Sequence, residues 1–275
     1  MTRGTGYRPD PPGHRYNAFR AVHPARSYSA AAPMPNGPIA LCPGVWDQNG
    51  TGSCGGHGAA GALTVLLRSA GFSLAEPAVS PLACYRMARM IDRAAMTDGP
   101  LPALTDSGVQ PNELARGLQE YGLQLEGDNP TDKTIEDSTS YAAWLSGKIN
   151  SEPSLLELEK SAARELVDWT SIADGDPQKV SLLLQALHAG YPAMFAVDAN
   201  TDDFQNYDGS GVLDYGGQNP DHMQYICGCR EAADGSTEFR QVNSWGTSWG
   251  DNGMAWVSQR AIQSATFDML IPRML

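Results

Sequence analysis

The sequence is poor in positive charge, in cysteine and in long apolar runs, and each shortage removes a class of function. Its 19 Lys+Arg stand against 31 Asp+Glu, a net charge of −12. That balance is unsuited to neutralising phosphates, so no nucleic-acid partner is expected. No stretch reaches the roughly 20 consecutive apolar residues of a membrane-crossing helix, so no integral membrane segment is expected. The opening residues, MTRGTGYRPDPPGHRYN, hold no apolar core. A secretory leader is therefore not expected, which leaves the cytoplasm or a virion or effector-type export route. Five cysteines, at 42, 54, 84, 227 and 229, are odd in number and irregularly spaced. They argue against a disulfide scaffold and for reduced thiols. An odd count also leaves one thiol unpaired, the first pointer to chemistry.

What is present is a chain of 275 residues, 41% hydrophobic, long enough for one large domain or two packed lobes. Residues 1–45 are rich in Pro, Gly, Ala and Arg, show no period, and read as an extended arm. The arm is expected to lie against the body, since Tyr7, Tyr16, Phe19 and Tyr28 would otherwise be exposed. A buried helix is predicted from Cys54 to Ala70, capped by Gly71. Ser80-Pro81 opens a second and Pro111 a third, which carries Leu114, Leu118 and Tyr121 on one face and stops at Gly122. The polar stretch 126–153 reads as a surface crossing. Ser154 and Glu157 form a capping box ahead of Leu155, Leu158, Ala162, Leu166 and Trp169 at helical spacing. A short helix after Asp176-Pro177 ends near Gly190. Four strand-like runs follow, AMFAVDA, HMQYICGC, EFRQVNSW and MAWVS. Helices first and strands later predict an α+β protein with two unlike lobes.

Cys54 follows a Gly-rich turn and opens the buried helix, where unpaired N–H groups and the helix dipole favour a thiolate. A buried structural cysteine fits that position equally well. Gln48, just upstream, can offer a carboxamide to an oxyanion beside the Cys54 N–H. His222, after Asp221, can take a thiol proton, and Asn243 can hold its second ring nitrogen. Each is weak alone. His57, one turn after Cys54, reads rather as a packed core histidine. Cys227 and Cys229 with His222 have the look of zinc ligands, but a metal there would consume the base, so no metal is expected.

In the order Gln48, Cys54, His222, Asn243, the segments QNGTGSCG, DHMQYICG and NSWGTSWGDNGMAWVS resemble the papain family of cysteine peptidases, from Leu41 to Val257. NSWGTSWG is the specific part. The resemblance implies a papain-like two-lobed fold: a helical lobe over about 46–125, a β-barrel-like lobe over about 126–275, and a cleft between them. It implies Cys54 as nucleophile, His222 as general base and acid, Asn243 as its orienter and Gln48 in the oxyanion hole. It also implies Trp245 as the indole covering the His–Asn bond, Ser107 and Gly108 as a peptide-binding edge, and Asp221 as an acidic neighbour of the imidazole. A peptide or protein substrate follows, and no cofactor. Gly55-Gly56 stand where the family usually has an aromatic, which widens that wall, and Thr51 replaces an upstream half-cystine. These features look more like bacterial and phage-type members. Two other readings stay open: a cell-wall or isopeptide amidase or transamidase with the same triad, and an inactive papain-like binding or structural protein.

Overall fold

A computed structural model describes residues 5–11, 17–18, 34–73, 79–96, 100–125, 148–162 and 167–274. Tyr16, Phe19, Tyr28, Leu166 and most of the polar crossing lie outside them. Three helices come first: α1 (Cys54–Ser69), α2 (Pro81–Met96) and α3 (Pro111–Tyr121). Their ends carry the expected punctuation. Ser80 Oγ accepts from Ala83 N, Gln110 and Glu113 close a capping box on α3, and Gly122 ends α3 at φ 79°. α1 is buried from Cys54 through Leu67, so its stability comes from what packs around it rather than from propensity.

The remaining elements are α4 (Leu155–Ala162), β2 (Val167–Ile172), α5 (Lys179–His188), β3 (Ala193–Val197), α6 (Asp202–Gln205), β4 (Val212–Leu213), β5 (His222–Glu231), β6 (Thr237–Val242), β7 (Met254–Ser258), α7 (Gln259–Ser264) and β8 (Phe267–Met274). With β1 (Asn17–Ala18) of the arm they make an eight-stranded sheet, ordered β1-β2-β8-β3-β5-β6-β7-β4. One apolar cluster joins α1, α2 and α3 to inward side chains of the sheet, among them Met194, Met223, Tyr225 and Val242. A second fills the sheet's other face with Phe195, Phe204, Trp245, Trp249 and Val257. The α+β, papain-like two-lobed fold is the one the sequence implies.

Two expectations need correction. The helical pattern from Ser154 does not run on to Trp169. α4 is described as far as Ala162, and Trp169 lies in β2, which pairs with β8 and is pinned where Arg273 meets Asp168. Leu155 is 80% exposed, and the buried members of α4 are Glu157 and Ser161, because Glu157 turns inward to Arg86 at 3.4 Å. The thiols are not all reduced either. Cys42 follows a short 3-10 turn, Ile39–Leu41, that packs on β5, and it is disulfide-bonded to Cys227 across 185 residues. No local pattern carries a pairing of that span. Cys54, Cys84 and Cys229 are buried and form no disulfide among the described residues.

Candidate active site

The loop before α1 is locked by its own polar groups. Thr51 Oγ1 donates to Gln48 O at 2.7 Å, Gln48 Nε2 donates to Thr51 O at 2.7 Å, and Gly52 N donates to Asp106 at 3.0 Å. Ser244 reaches across from the sheet to Gln48 Oε1, so the carboxamide is clamped between both lobes. Cys54 then sits in the first turn of α1, where helix N–H groups face the thiol. Gly55 and Gly56 do not leave a widened wall. A Cβ on Gly55 would meet Val109 Cγ2 at 2.6 Å, and one on Gly56 would meet Pro81 O at 2.5 Å. The space an aromatic would take is filled by α2 and by the start of α3. His57 turns back on its own helix end, its Nδ1 at 2.9 Å from Ser53 O, and lies edge-on to Trp46.

His222 opens β5 on the facing wall. Its Nε2 is 2.8 Å from Asn243 Oδ1, just beyond β6, and Asn243 Oδ1 also accepts from Ser244 N at 2.7 Å. With that nitrogen engaged, Nδ1 is left buried with no hydrogen-bond partner among the described residues. Trp245 covers the imidazole at 4.7 Å between ring centroids, and Phe204 closes it edge-on. The Cys54 thiol lies against the backbone of Met223, the residue after His222, so nucleophile and imidazole share one end of the cleft. Asp221 turns its carboxylate away, to Ala199 N at 2.9 Å and Asn200 Nδ2 at 2.7 Å.

Across this junction runs the arm. Gly6 N and Tyr7 N donate to Asp221 O at 3.2 and 3.0 Å. Arg8 N donates to Val109 O at 2.9 Å, and Val109 N donates to Gly6 O at 2.8 Å. Thr5 to Arg8 thus lies as a short strand parallel to Val109. Successive side chains go to opposite walls: the Tyr7 hydroxyl donates to Asp268, and Arg8 reaches the helical side. Only glycine fits at position 6, since a Cβ there would come within 1.9 Å of Gly52 O. The edge that pairs with this strand is Val109. Ser107 N bonds Thr105 O, and Gly108, at φ 73°, gives its N–H to the Tyr85 hydroxyl and lies under Gly6 O.

Burial sets the protonation of the reactive pair. With the arm in place Cys54 and His222 are both fully buried. Desolvation pushes the thiol up to about 12, against backbone N–H bonds that favour the thiolate, and pushes the imidazole down to about 4, against the Asn243 bond. The position of Cys54 in the sequence leads one to expect a strongly acidic thiol. In this closed arrangement burial favours the neutral form of each.

Cys54, His222, Asn243, Gln48 and Trp245 therefore meet at one place, and Gly108 and the Asp221 carbonyl border it. Sequence reasoning missed Val109, Ser244 and the arm residues Gly6 and Arg8. Val109 adjoins a glycine already singled out, whereas no sequence signal marks where an aperiodic arm docks.

A family profile described as "Papain family cysteine protease" matches residues 107–269. Cysteine protease 1 of Oryza sativa subsp. japonica is 37% identical over 149 residues, 54% of this chain and 26% of that protein. Senescence-specific cysteine protease SAG39 of Oryza sativa subsp. indica is 32% identical over 94 residues, 34% of this chain and 27% of that protein. The chain thus spans about a quarter of the length of these curated relatives. Among solved structures, xylellain, a cysteine protease from Xylella fastidiosa, superposes with a TM-score of 0.67 at 20% identity, covering 99% of this chain and 97% of that one. At that identity the likeness speaks for the fold alone.

Proposed function

The chain belongs to the papain family of cysteine proteases, and on that premise we propose that it hydrolyses peptide bonds through a thioester on Cys54. The observation that carries this reading is the 2.8 Å bond from His222 Nε2 to Asn243 beneath Trp245, which leaves Nδ1 as the nitrogen that serves the thiol. His222 Nδ1 takes the Cys54 proton as sulfur attacks the scissile carbonyl. The carbonyl electrons move onto oxygen, which the Cys54 N–H at the start of α1 and the Gln48 carboxamide stabilise. As the tetrahedral adduct collapses, the C–N bond breaks and the imidazolium gives its proton to the leaving amine. Water, deprotonated by His222, then attacks the thioester and releases the acid and the thiol. Asn243 keeps the imidazole in the required tautomer throughout, and Trp245 shields that bond from water.

The form with Gly6 and Tyr7 on Asp221 O is the resting form in this reading, because a peptide cannot use the same acceptor while the arm does. Displacing the arm rehydrates the thiol and lets the thiolate–imidazolium pair form. A peptide library incubated with the full chain carrying Arg8→Ala, which loosens the arm, should be cleaved, and the same chain with Cys54→Ala added and its fold unchanged should cleave none of it. Cleavage that persists in the variant contradicts the mechanism.

A further inference from the structure

The arm does more than cover the thiol. Arg8 Nη2 lies 2.9 Å from Asp92 Oδ2 on α2 and 2.7 Å from Glu113 Oε2 on α3, so one guanidinium nitrogen is shared by two carboxylates from different helices. The Glu113 and Asp92 side chains are 8% and 14% exposed, while Arg8 is 29% exposed, so the pair forms the floor of a notch whose mouth is open. Glu113 is fixed by a second task, since its Oε2 accepts Gln110 N at 2.8 Å as part of the α3 cap. Asp10, two residues beyond Arg8, accepts Asn112 N at 2.8 Å at the same helix end. The notch is therefore rigid and is filled from the cleft side, by a strand whose backbone is already hydrogen-bonded to Val109.

We propose that Asp92 and Glu113 are a specificity subsite of the cleft that reads a cationic side chain, and that Arg8 is its tethered occupant. The inference rests on the peptidase reading above and names its substrate class: peptides with Arg or Lys at the position that passes between α2 and α3. Two carboxylates this close repel one another when the notch is empty, and burial pushes the Glu113 carboxyl up to about 7. A bound guanidinium removes that repulsion and supplies charge-assisted hydrogen bonds in return. A neutral or acidic side chain supplies no counter-charge, so the carboxylate pair must take up a proton instead. A substrate strand on the Val109 edge crosses the same mouth as the arm, so arm and substrate compete for one pocket as well as for one backbone edge.

The test uses the full chain carrying Arg8→Ala, which empties the notch, and fluorogenic peptides with Arg, Lys, norleucine or Glu placed at each position in turn. At one position kcat/KM should favour Arg over norleucine by about tenfold or more, as expected for a hydrogen-bonded ion pair. Adding Asp92→Asn and Glu113→Gln together should bring that ratio close to one. Asp92→Asn alone, which leaves the Glu113 cap intact, should lower it in the same direction if the double variant fails to fold. Cleavage with no preference for a cation at any position, or a preference untouched by Asp92→Asn, overturns the subsite and leaves the peptidase reading standing. Absence of cleavage of every peptide overturns the peptidase reading and the subsite with it.

Discussion

On the helical wall Cys54 is placed by neighbours in sequence: a loop that closes on itself from Gln48 to Thr51, and a helix that begins at once. On the sheet wall His222 is placed by partners it meets only through strand pairing. Asn243 follows β6, and Phe204 and Trp245 enclose the ring from beyond β3 and β6. Both walls also bury a histidine, with different results. His57 is held through Nδ1 by Ser53 O within its own turn, whereas His222 is held through Nε2 by Asn243 from beyond β6. The Cys54 loop thus closes largely on itself, with Ser244 and Asp106 as its distant ties, whereas the seat of His222 depends on register across the sheet.

The contrast predicts that the sheet wall is the more vulnerable to a single lost partner. Asn243→Ala should lower turnover on the order of a hundredfold, since the imidazole then samples wrong tautomers and orientations. Trp245→Ala should act the same way and more weakly. Equal turnover in wild type and Asn243→Ala would mean that the packing of the sheet wall alone holds His222.

The tie between the arm side and β5 should show as stability. Cys42→Ser opens a 185-residue loop and should lower the unfolding free energy by about 2–4 kcal/mol, read from denaturant midpoints. A midpoint shared with wild type would mean that the surrounding packing suffices without the bond. The helical wall is sharpened by a pair of glycines. A Cβ on Gly61 would meet the Tyr225 ring at 2.2 Å, while one on Gly50 meets nothing within 4 Å. Gly61→Ala should cost about 1–3 kcal/mol through overpacking, and Gly50→Ala close to nothing. Equal costs would show that α1 and β5 can move apart freely.

A further effect is in the pH profile. Burial pushes both His57 and His222 from 6.5 to about 4 in the folded chain. Between those values the unfolded chain binds the more protons, so this contribution is complete above about 6.5 and is lost as pH falls toward 4. His57→Gln should flatten the slope of Tm against pH in that window. An unchanged slope would mean that His57 carries no share of it.

What was legible in the sequence follows the same division. Ser80-Pro81, Pro111 and Gly122 marked the ends of α2 and α3 because helix ends are chosen by residues next to them. The strand runs of β3, β5, β6 and β7 were visible as short runs set off by Gly, Asn and Asp turns, and NSWGTSWG pointed to the site. β2 was hidden because Trp169 continues a helical spacing and only β8, a hundred residues later, turns it into a strand. The Cys42–Cys227 bond and the seat of Gly6 to Arg8 were hidden for the same reason, since each depends on surfaces that exist only after folding. Gly55 and Gly56 read as open space in sequence and are tightly enclosed in the fold.

On the reading proposed above, Cys54 and His222 form a reactive pair held neutral by the seated arm. Iodoacetamide labelling near pH 5.5, mapped by mass spectrometry across Cys54, Cys84 and Cys229, tests it directly, with free cysteine at that pH only about one part in a thousand thiolate. Slow labelling is expected in the full chain, with a rise of about tenfold or more at Cys54 alone in Arg8→Ala and loss of that rise when His222→Ala is added. Labelling that is even across the three thiols, or a Cys54 rate that ignores both Arg8 and His222, would contradict it.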